Sequence, residues 1–262
     1  MTIATHVSVG GVCIGLRSAD RRFVDLLHHR FEGYIDPRAR PDYEFEVDVI
    51  PSPEVAVDRD VRVYREGSQW RFERGDFEAA LDPVARRGRI RQDANPYSVD
   101  SVLRIVHTLA LAPQGGFLLH ASSAVRNGRA HVFAGVSGAG KTTLARLAPP
   151  DAQVMTDEIS YIRRAGSGYI AHGTPFAGEL ARPGANVSAP VAAIYLLAHG
   201  KENRIDEVGP AEAARALLAT ILFFAEDPQL VKQVFASALE AAENVPVRRF
   251  TFVPDTTAWT LV

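Results

Sequence analysis

One glycine-rich stretch constrains the fold and the chemistry of this chain more than any other feature. Residues 135–142 fit the pattern Gly-x4-Gly-Lys-[Ser/Thr], which is typical of a loop that binds phosphate groups. Glycine reaches backbone angles that are closed to other residues, so successive N–H groups can point towards one phosphate. The predicted nucleotide-binding residues are Gly135, Val136, Ser137, Gly138, Ala139, Gly140, Lys141, Thr142 and Thr143.

The residue types in this loop and the segments around it support the same prediction. Lys141 would bring a positive charge to the outer phosphates, and Thr142 would offer a hydroxyl group to Mg²⁺. Residues 130–134 predict a buried strand, and residues 142–148 predict a helix that ends before Pro149. A helix N-terminus after a glycine loop favours an anion, because the helix dipole is positive there. The alternative is an ordinary glycine-rich turn between a strand and a helix.

Acidic residues follow the next predicted strand. Residues 152–155 are mainly apolar and are followed by Thr156, Asp157 and Glu158, about 16 residues past the loop lysine. A nucleotide enzyme is expected to carry a second Mg²⁺ anchor or a catalytic base at such a position. The alternative is a capped turn that leads into another strand.

A histidine is predicted on the strand beside the one that leads into the loop. His120 lies in the apolar segment 117–125, and Asn127-Gly128 predicts a tight hairpin turn between this segment and residues 130–134. Taken alone, His120 would more often be a structural strand histidine than a functional group. Its predicted position near the loop favours a role in the site.

Composition and charge argue against several classes of function. The chain has 262 residues and a net charge of -2, so charge gives no argument for a nucleic-acid partner or an anionic membrane. The arginines at positions 86, 87, 89 and 91 are interpreted as the solvated face of a strand. The longest apolar runs, residues 191–198 and 216–225, are too short to cross a bilayer. Cys13 is the single cysteine, and the N-terminus does not have the pattern of a signal peptide, so we expect a cytoplasmic protein.

The composition changes near Asn95-Pro96, which predicts two domains, 1–97 and 98–262. The first is predicted to be small and β-rich, with one helix over residues 20–31 capped by Ser18 or Asp20. Alternating polar and apolar residues at 43–50 and 61–64 predict half-exposed antiparallel strands.

The second domain is predicted to be α/β. A helix capped by Ser98, a central strand at 191–197, helices at 210–222 and 229–243 and a late strand at 247–253 are expected there. Trp259 and Leu261 are expected to pack as a plug at its end.

These features together resemble a known family. The segment 118–125, the glycine loop and Met155-Thr156-Asp157-Glu158 resemble the catalytic core of the HPr serine kinase/phosphorylase family, and more closely the HPr-kinase-related proteins. The resemblance covers about residues 99–200 well. It implies an α/β fold with a P-loop-containing HPr-kinase-like core, in which helices flank a mixed sheet. The signature stretch of the true HPr enzymes is not found, so HPr itself is not the expected substrate.

The resemblance also implies roles for individual residues. His120 matches a family histidine near the reacting phosphates, and Asp157 and Glu158 match an acidic pair that supplies the base and a metal contact. The family usually has Asp-Asp, so Glu158 leaves the assignment of the base open. Glu179 resembles a later family acid only loosely, and Arg182 is a weak candidate for a transition-state cation. The HPr enzymes are oligomeric, so the resemblance also admits a homo-oligomer.

The sequence therefore predicts a kinase that uses ATP and Mg²⁺. His120, Lys141, Asp157 and Glu158 are the predicted catalytic residues, and Thr142 and Glu158 are the predicted metal ligands. The acceptor hydroxyl would belong to a serine of a peptide or protein, or to a small molecule. One alternative is a nucleotide-binding switch with little or no transfer activity. Another is an enzyme similar to phosphoenolpyruvate carboxykinase, but the lysine, histidine and arginine cluster that it would need cannot be assembled from the sequence.

Overall fold

A computed structural model describes residues 2–51 and 60–262, which form two compact units. The first unit comprises the described residues up to Leu109 together with Phe223–Val231. The second comprises Ala110–Leu222 and Lys232–Val262. Both units contain a mixed sheet, so the protein is a strand-rich α/β protein.

The described part of the first unit contains one seven-stranded sheet and two helices. The strand order across the sheet is β1-β2-β3-β7-β6-β5-β4. The elements are β1 (Ile3–Val9), β2 (Val12–Ser18), α1 (Arg21–Arg30), β3 (Tyr43–Val49), β4 (Arg62–Glu66), β5 (Gln69–Arg74), β6 (Phe77–Asp82), β7 (Arg87–Gln92) and α2 (Pro96–Leu111), which ends two residues beyond the unit.

The predicted first helix is confirmed, and its cap is Asp20. The Asp20 side chain accepts a hydrogen bond from the backbone N–H of Phe23, which satisfies one free donor of the first turn. Phe23, Val24 and Leu27 are buried along one face of α1.

The direction predicted for β3 is wrong, although its alternating burial is confirmed. Phe45 and Val47 are buried, but β3 runs parallel to both of its neighbours, β2 and β7. Alternation indicates which face of a strand is buried and gives no information about its direction. On the other face, acidic residues of β3 and β6 lie opposite the basic cluster. The ion pairs are Arg87–Glu44, Arg89–Asp48 and Arg91–Glu78.

Ser98 does not cap α2, because the helix begins two residues earlier at Pro96. Ser98 is buried, and its hydroxyl group lies 2.6 Å from Asp76 Oδ2 and 3.1 Å from Asp93 Oδ1. The Asn95 side chain accepts the backbone N–H of Tyr97 at 2.9 Å. The serine therefore stabilises a buried polar cluster at the start of the helix.

The described part of the second unit contains a nine-stranded sheet. The main strand order is β10-β8-β11-β12-β13-β16-β14, with β15 paired to β8 and β9 paired to both β8 and β13. Its strands are β8 (Phe117–Arg126), β9 (Arg129–Ala134), β10 (Ala152–Thr156), β11 (Ile159–Ala165), β12 (Gly168–His172), β13 (Ser188–His199), β14 (Arg204–Glu207), β15 (Ile221–Leu222) and β16 (Val247–Phe252). Its helices are α3 (Lys141–Arg146), α4 (Pro210–Thr220) and α5 (Pro228–Asn244), of which α5 begins in the first unit.

Three parallel strands bring their carboxyl ends to one edge of this sheet. Both β9 and β16 pair in parallel with β13, the predicted central strand. The glycine-rich loop follows β9, and His199 and Phe252 are the last residues of β13 and β16. The predicted hairpin between β8 and β9 is confirmed, since Asn127 and Gly128 both have positive φ angles.

Several predicted boundaries in this unit are wrong. Helix α3 ends at Arg146, and α4 ends at Thr220, after which residues 221–222 pair with β8. Trp259 is buried, as expected for an end plug, and donates a hydrogen bond to the Leu144 carbonyl, whereas Leu261 is exposed. No helix within the described ranges combines the length and the apolar composition that a membrane crossing requires.

Candidate functional site

The glycine-rich loop joins the end of β9 to the first residue of α3. Gly138 and Gly140 have φ angles of 80° and 98°, in the left-handed region that favours glycine. Gly140 is also the N-cap of α3, and a Cβ atom there would lie 2.4 Å from the ring of Phe252. A Cβ atom on Gly138 would meet open space. Position 140 therefore needs glycine both for its backbone angle and for the space beside Phe252, whereas position 138 needs it for the backbone angle alone.

The side chain of Lys141 folds back over the start of the loop. Its Nζ atom donates hydrogen bonds to the carbonyl groups of Gly135 and Val136, both at 3.0 Å. Burial lowers the pKa of the Lys141 ammonium group, and the carboxylates of Glu158 and Glu179 act in the opposite direction. The ammonium group is thus positioned by loop carbonyls and lies in the field of two acids.

Two neighbouring strands place His120 and Glu158 beside the loop. His120 on β8 lies opposite Ile159 on β11, and the backbone N–H of Ala121 donates to the Glu158 carbonyl at 2.9 Å. Both side chains line a pocket of about 260 Å³. The pocket is lined by His120, Ser137, Gly138, Gly140, Lys141, Thr142, Thr143, Asp157, Glu158, Gly178 and Glu179.

The structure therefore brings together most of the predicted site residues, but not all of them. Gly135, Val136 and Ala139 do not line the pocket. Val136 is 67 % exposed, whereas Ala139 is buried. A Cβ atom on Gly135 would lie 2.6 Å from the Cβ atom of Ala139, so the backbone of Gly135 lies close to the Ala139 methyl group.

Asp157 is a buried carboxylate that holds a neighbouring segment in place. Its Oδ1 atom accepts the backbone N–H of Gly178, and its Oδ2 atom accepts that of Leu180, both at 2.9 Å. A Cβ atom on Gly178 would lie 2.9 Å from Asp157 Oδ2. The close approach of residues 178–180 to the pocket therefore depends on both the carboxylate and the glycine.

The charge balance of the pocket suits a divalent cation that arrives with phosphate groups. Asp157, Glu158 and Glu179 face the single lysine, Lys141. Among residues 2–51 and 60–262, no three His, Cys, Asp or Glu side chains are grouped so that they could hold a metal ion by themselves. Mg²⁺ commonly binds through one or two carboxylates, with phosphate oxygens and water completing its shell. Thr142 and Glu158 fit this pattern, because both line the pocket beside the loop.

Glu179 and Arg182, the two weaker candidates for the site, lie in different places. Glu179 lines the pocket, and its exposed carboxylate lies 3.6 Å from the guanidinium group of Arg146. Arg182 does not line it. Arg182 instead lines an adjoining cavity of about 580 Å³, which shares Asp157 with the pocket.

One residue that contacts the loop was not predicted from the sequence. The Nε2 atom of His199 lies 2.9 Å from the carbonyl oxygen of Gly138. His199 ends β13, which is parallel to β9, so its side chain reaches the same edge of the sheet as the loop. A histidine at the carboxyl end of the predicted central strand was the available signal.

Comparisons with known proteins give one family. The family model described as SynChlorMet cassette protein ScmC matches residues 89–253, which include the loop and every residue of the pocket. No curated protein matches the chain.

Proposed function

The chain belongs to the ScmC family of SynChlorMet cassette proteins, and from this premise we propose that it is an ATP- and Mg²⁺-dependent phosphotransferase. It would transfer the γ-phosphate of ATP to a hydroxyl group of a peptide, a protein or a small molecule. One observation carries the proposal: the glycine-rich loop, His120, Asp157 and Glu158 line the same pocket. The family name states no activity, so the proposal rests on this pocket.

The loop sequence and its setting support a P-loop role. A left-handed Gly138, a left-handed Gly140 and the start of α3 suit a backbone that surrounds a phosphate group. The resemblance of this region to HPr-kinase-related proteins supports an HPr-kinase-like core. The carboxyl ends of parallel strands, where this pocket lies, are a frequent position for ligand sites in α/β sheets.

We assign the residues of the pocket to binding, charge neutralisation and proton transfer. The N–H groups of the loop and the Lys141 ammonium group would hold the outer phosphates, and His120 would orient the γ-phosphate. Thr142 and Glu158 would hold Mg²⁺, which neutralises phosphate charge when it is bound. The acceptor oxygen forms a bond to the γ-phosphorus, the bond from that phosphorus to the bridging oxygen breaks, and ADP leaves.

Asp157 is the better candidate for the base that takes the hydroxyl proton. Its two hydrogen bonds from backbone N–H groups fix the carboxylate, and each oxygen retains a second lone pair. Glu158 is only partly buried and has a longer side chain, which suits a ligand that adjusts to a metal ion. We therefore propose this division of roles for the two acids, whose assignment the Asp-Glu sequence leaves open.

The test measures nucleotide binding and transfer separately. We expect the wild-type protein to bind MgATP and to form ADP together with a phosphorylated hydroxy compound. Lys141→Ala should lose MgATP binding, whereas Asp157→Asn and Glu158→Gln should lose most transfer. Glu243→Gln changes an exposed acid outside the pocket and is the matched control. Failure of the wild-type protein to bind MgATP would overturn the proposal.

A nucleotide-dependent switch is the second candidate, and the contacts of Asp157 favour it. The carboxylate lines the pocket and also holds residues 178–180, so a ligand in the pocket could alter that segment. The switch is the better description if MgATP binds to both the wild-type protein and Asp157→Asn, while no hydroxyl compound or peptide is ever phosphorylated.

A further inference from the structure

A second cavity adjoins the pocket. Its volume is about 580 Å³, within the range of sites for small molecules. Its walls come from the end of α3, from β10 and the turn before it, and from residues 180–185. Asp157 lines both the cavity and the pocket, so a molecule in the cavity can reach the residue proposed as the base.

The two sites differ in charge. Three carboxylates and one lysine line the pocket, whereas Arg146, Arg182 and one carboxylate, Asp157, line the cavity. Arg146 is already engaged by Glu179 at 3.6 Å. Arg182 is exposed and forms no ion pair with another residue in the described part of the chain. It is therefore the cation of the cavity that is available to an anion.

The backbone that carries Arg182 is held firmly. The N–H of Gly184 donates to the Thr174 carbonyl and the N–H of Ala185 donates to the Val154 carbonyl, both at 3.0 Å. A Cβ atom on Gly184 would lie 1.7 Å from the Met155 carbonyl oxygen, so this segment packs directly on β10. Ala181, immediately before Arg182, has a φ angle of 52°, which is unusual for a residue with a side chain.

The remaining lining of the cavity is largely apolar. The apolar side chains include those of Ala145, Ala148, Pro149, Val154, Leu180 and Pro183, and Gln153 and Thr156 add two uncharged polar side chains. A ligand that suits this cavity has an apolar body and a negatively charged group for Arg182. A ligand that reacts at Asp157 must also have a hydroxyl group.

We propose that this cavity binds the phosphate acceptor, and that the acceptor is a small hydroxy carboxylic acid with an apolar body. This inference rests on the proposed phosphotransferase function and names its substrate class. The carboxylate pairs with Arg182, and the hydroxyl group lies at Asp157, which receives its proton as the new oxygen–phosphorus bond forms. The opposite charge of the two sites separates the acceptor carboxylate from the metal-binding acids.

The test compares an acid with its neutral amide. The probes are N-hexanoyl-L-serine and N-hexanoyl-L-serinamide, titrated into the full chain with a non-hydrolysable MgATP analogue present. Wild-type protein should bind the acid about tenfold more tightly than the amide, since a charge-assisted contact with arginine is lost in the amide. Arg182→Gln should remove this preference. Arg215→Gln, which changes an exposed arginine of α4, should retain it.

Each result supports or overturns the inference. Equal binding of the two probes, no binding of either, or a preference that survives Arg182→Gln overturns it. Binding of the MgATP analogue is measured in the same samples. If the analogue binds and the acid does not, the acceptor class is wrong while the phosphotransferase proposal stands. If the analogue does not bind, the phosphotransferase proposal itself fails.

Discussion

The imidazole of His199 is hydrogen-bonded to the carbonyl group of Gly138, with 2.9 Å between Nε2 and the oxygen. Because a carbonyl oxygen only accepts, Nε2 must carry the proton in this contact. The ring of His199 also lies 5.9 Å from that of Phe252, centroid to centroid. The last residues of two parallel strands thus contact each other, and one of them holds the loop at its left-handed glycine.

We predict that His199→Ala weakens MgATP binding without unfolding the protein. One neutral hydrogen bond contributes about 1 kcal/mol, which corresponds to a loss of about fivefold in affinity. Titration calorimetry with MgATP measures the change. His199→Gln retains a side-chain donor and should recover part of the affinity, and His29→Ala, an exposed histidine of α1, is the control. Unchanged affinity in His199→Ala would show that this contact does not position the loop.

Two alanine substitutions in the loop should lower the free energy of unfolding by different amounts. The methyl group that Gly138→Ala adds would lie in open space. This variant should therefore lose about 1 to 2 kcal/mol of stability, because of the left-handed backbone angle alone. Gly140→Ala adds a collision with the ring of Phe252 and should cost more. Thermal unfolding of both variants measures the difference. Phe252→Leu should reduce the difference in stability between the two variants. Equal losses of stability with Phe252 present would contradict the close approach of Gly140 to the Phe252 ring.

The sequence predicts elements of this fold better than it predicts their pairing. The periodic apolar positions of α1 and the Asn127-Gly128 turn are local signals, and both predictions are confirmed. The parallel direction of β3 depends on its neighbours in the sheet, and no local pattern contains that information. Similarly, residues 221–222 are predicted to continue α4, but they pair with β8 and the helix ends at Thr220.

The same distinction applies to the site. The Asn127-Gly128 hairpin predicted that His120 lies beside the strand that leads into the loop. A place for Asp157 and Glu158 in the same site was expected from the loop motif and the family resemblance, and in the structure β10 and β11 both pair with β8. His199 lies 61 residues from Gly138 in the chain. Its position depends on the parallel pairing of β13 with β9, a long-range feature. The hydrogen bonds that Asp157 accepts from the N–H groups of Gly178 and Leu180 could not be predicted either, because that segment has no regular secondary structure.

Asp157→Asn should release residues 178–180 as well as impair transfer. An amide group offers one oxygen where the carboxylate offers two, so one backbone N–H loses its acceptor, at a cost of about 1 to 3 kcal/mol. Hydrogen exchange at the amides of Gly178 and Leu180 should therefore become faster. Glu158→Gln makes the same chemical change beside it but leaves Asp157 in place. If exchange at the two amides is equally slow in both variants, Asp157 has no role in holding the segment.

Stability should fall as the pH is lowered because of His107, a buried histidine of α2. Complete burial lowers its pKa to about 3, whereas an unfolded histidine has a pKa of 6.5. The unfolded chain therefore binds a proton first as the pH falls, and the free energy of unfolding decreases between about 6.5 and about 3 and then levels off for this group.

The chosen measurement is urea unfolding from pH 7 to pH 4 for the wild-type protein and for His107→Leu. Carboxylates also titrate in this range, so the difference between the two slopes isolates the histidine. His107→Leu should have the shallower pH dependence, whatever its stability at pH 7, because it has no buried imidazole to remain uncharged. His29→Leu, a change at an exposed histidine of α1, is the control. If the free energy of unfolding depends on pH in the same way for wild type and His107→Leu, the buried imidazole does not contribute to the loss of stability in acid.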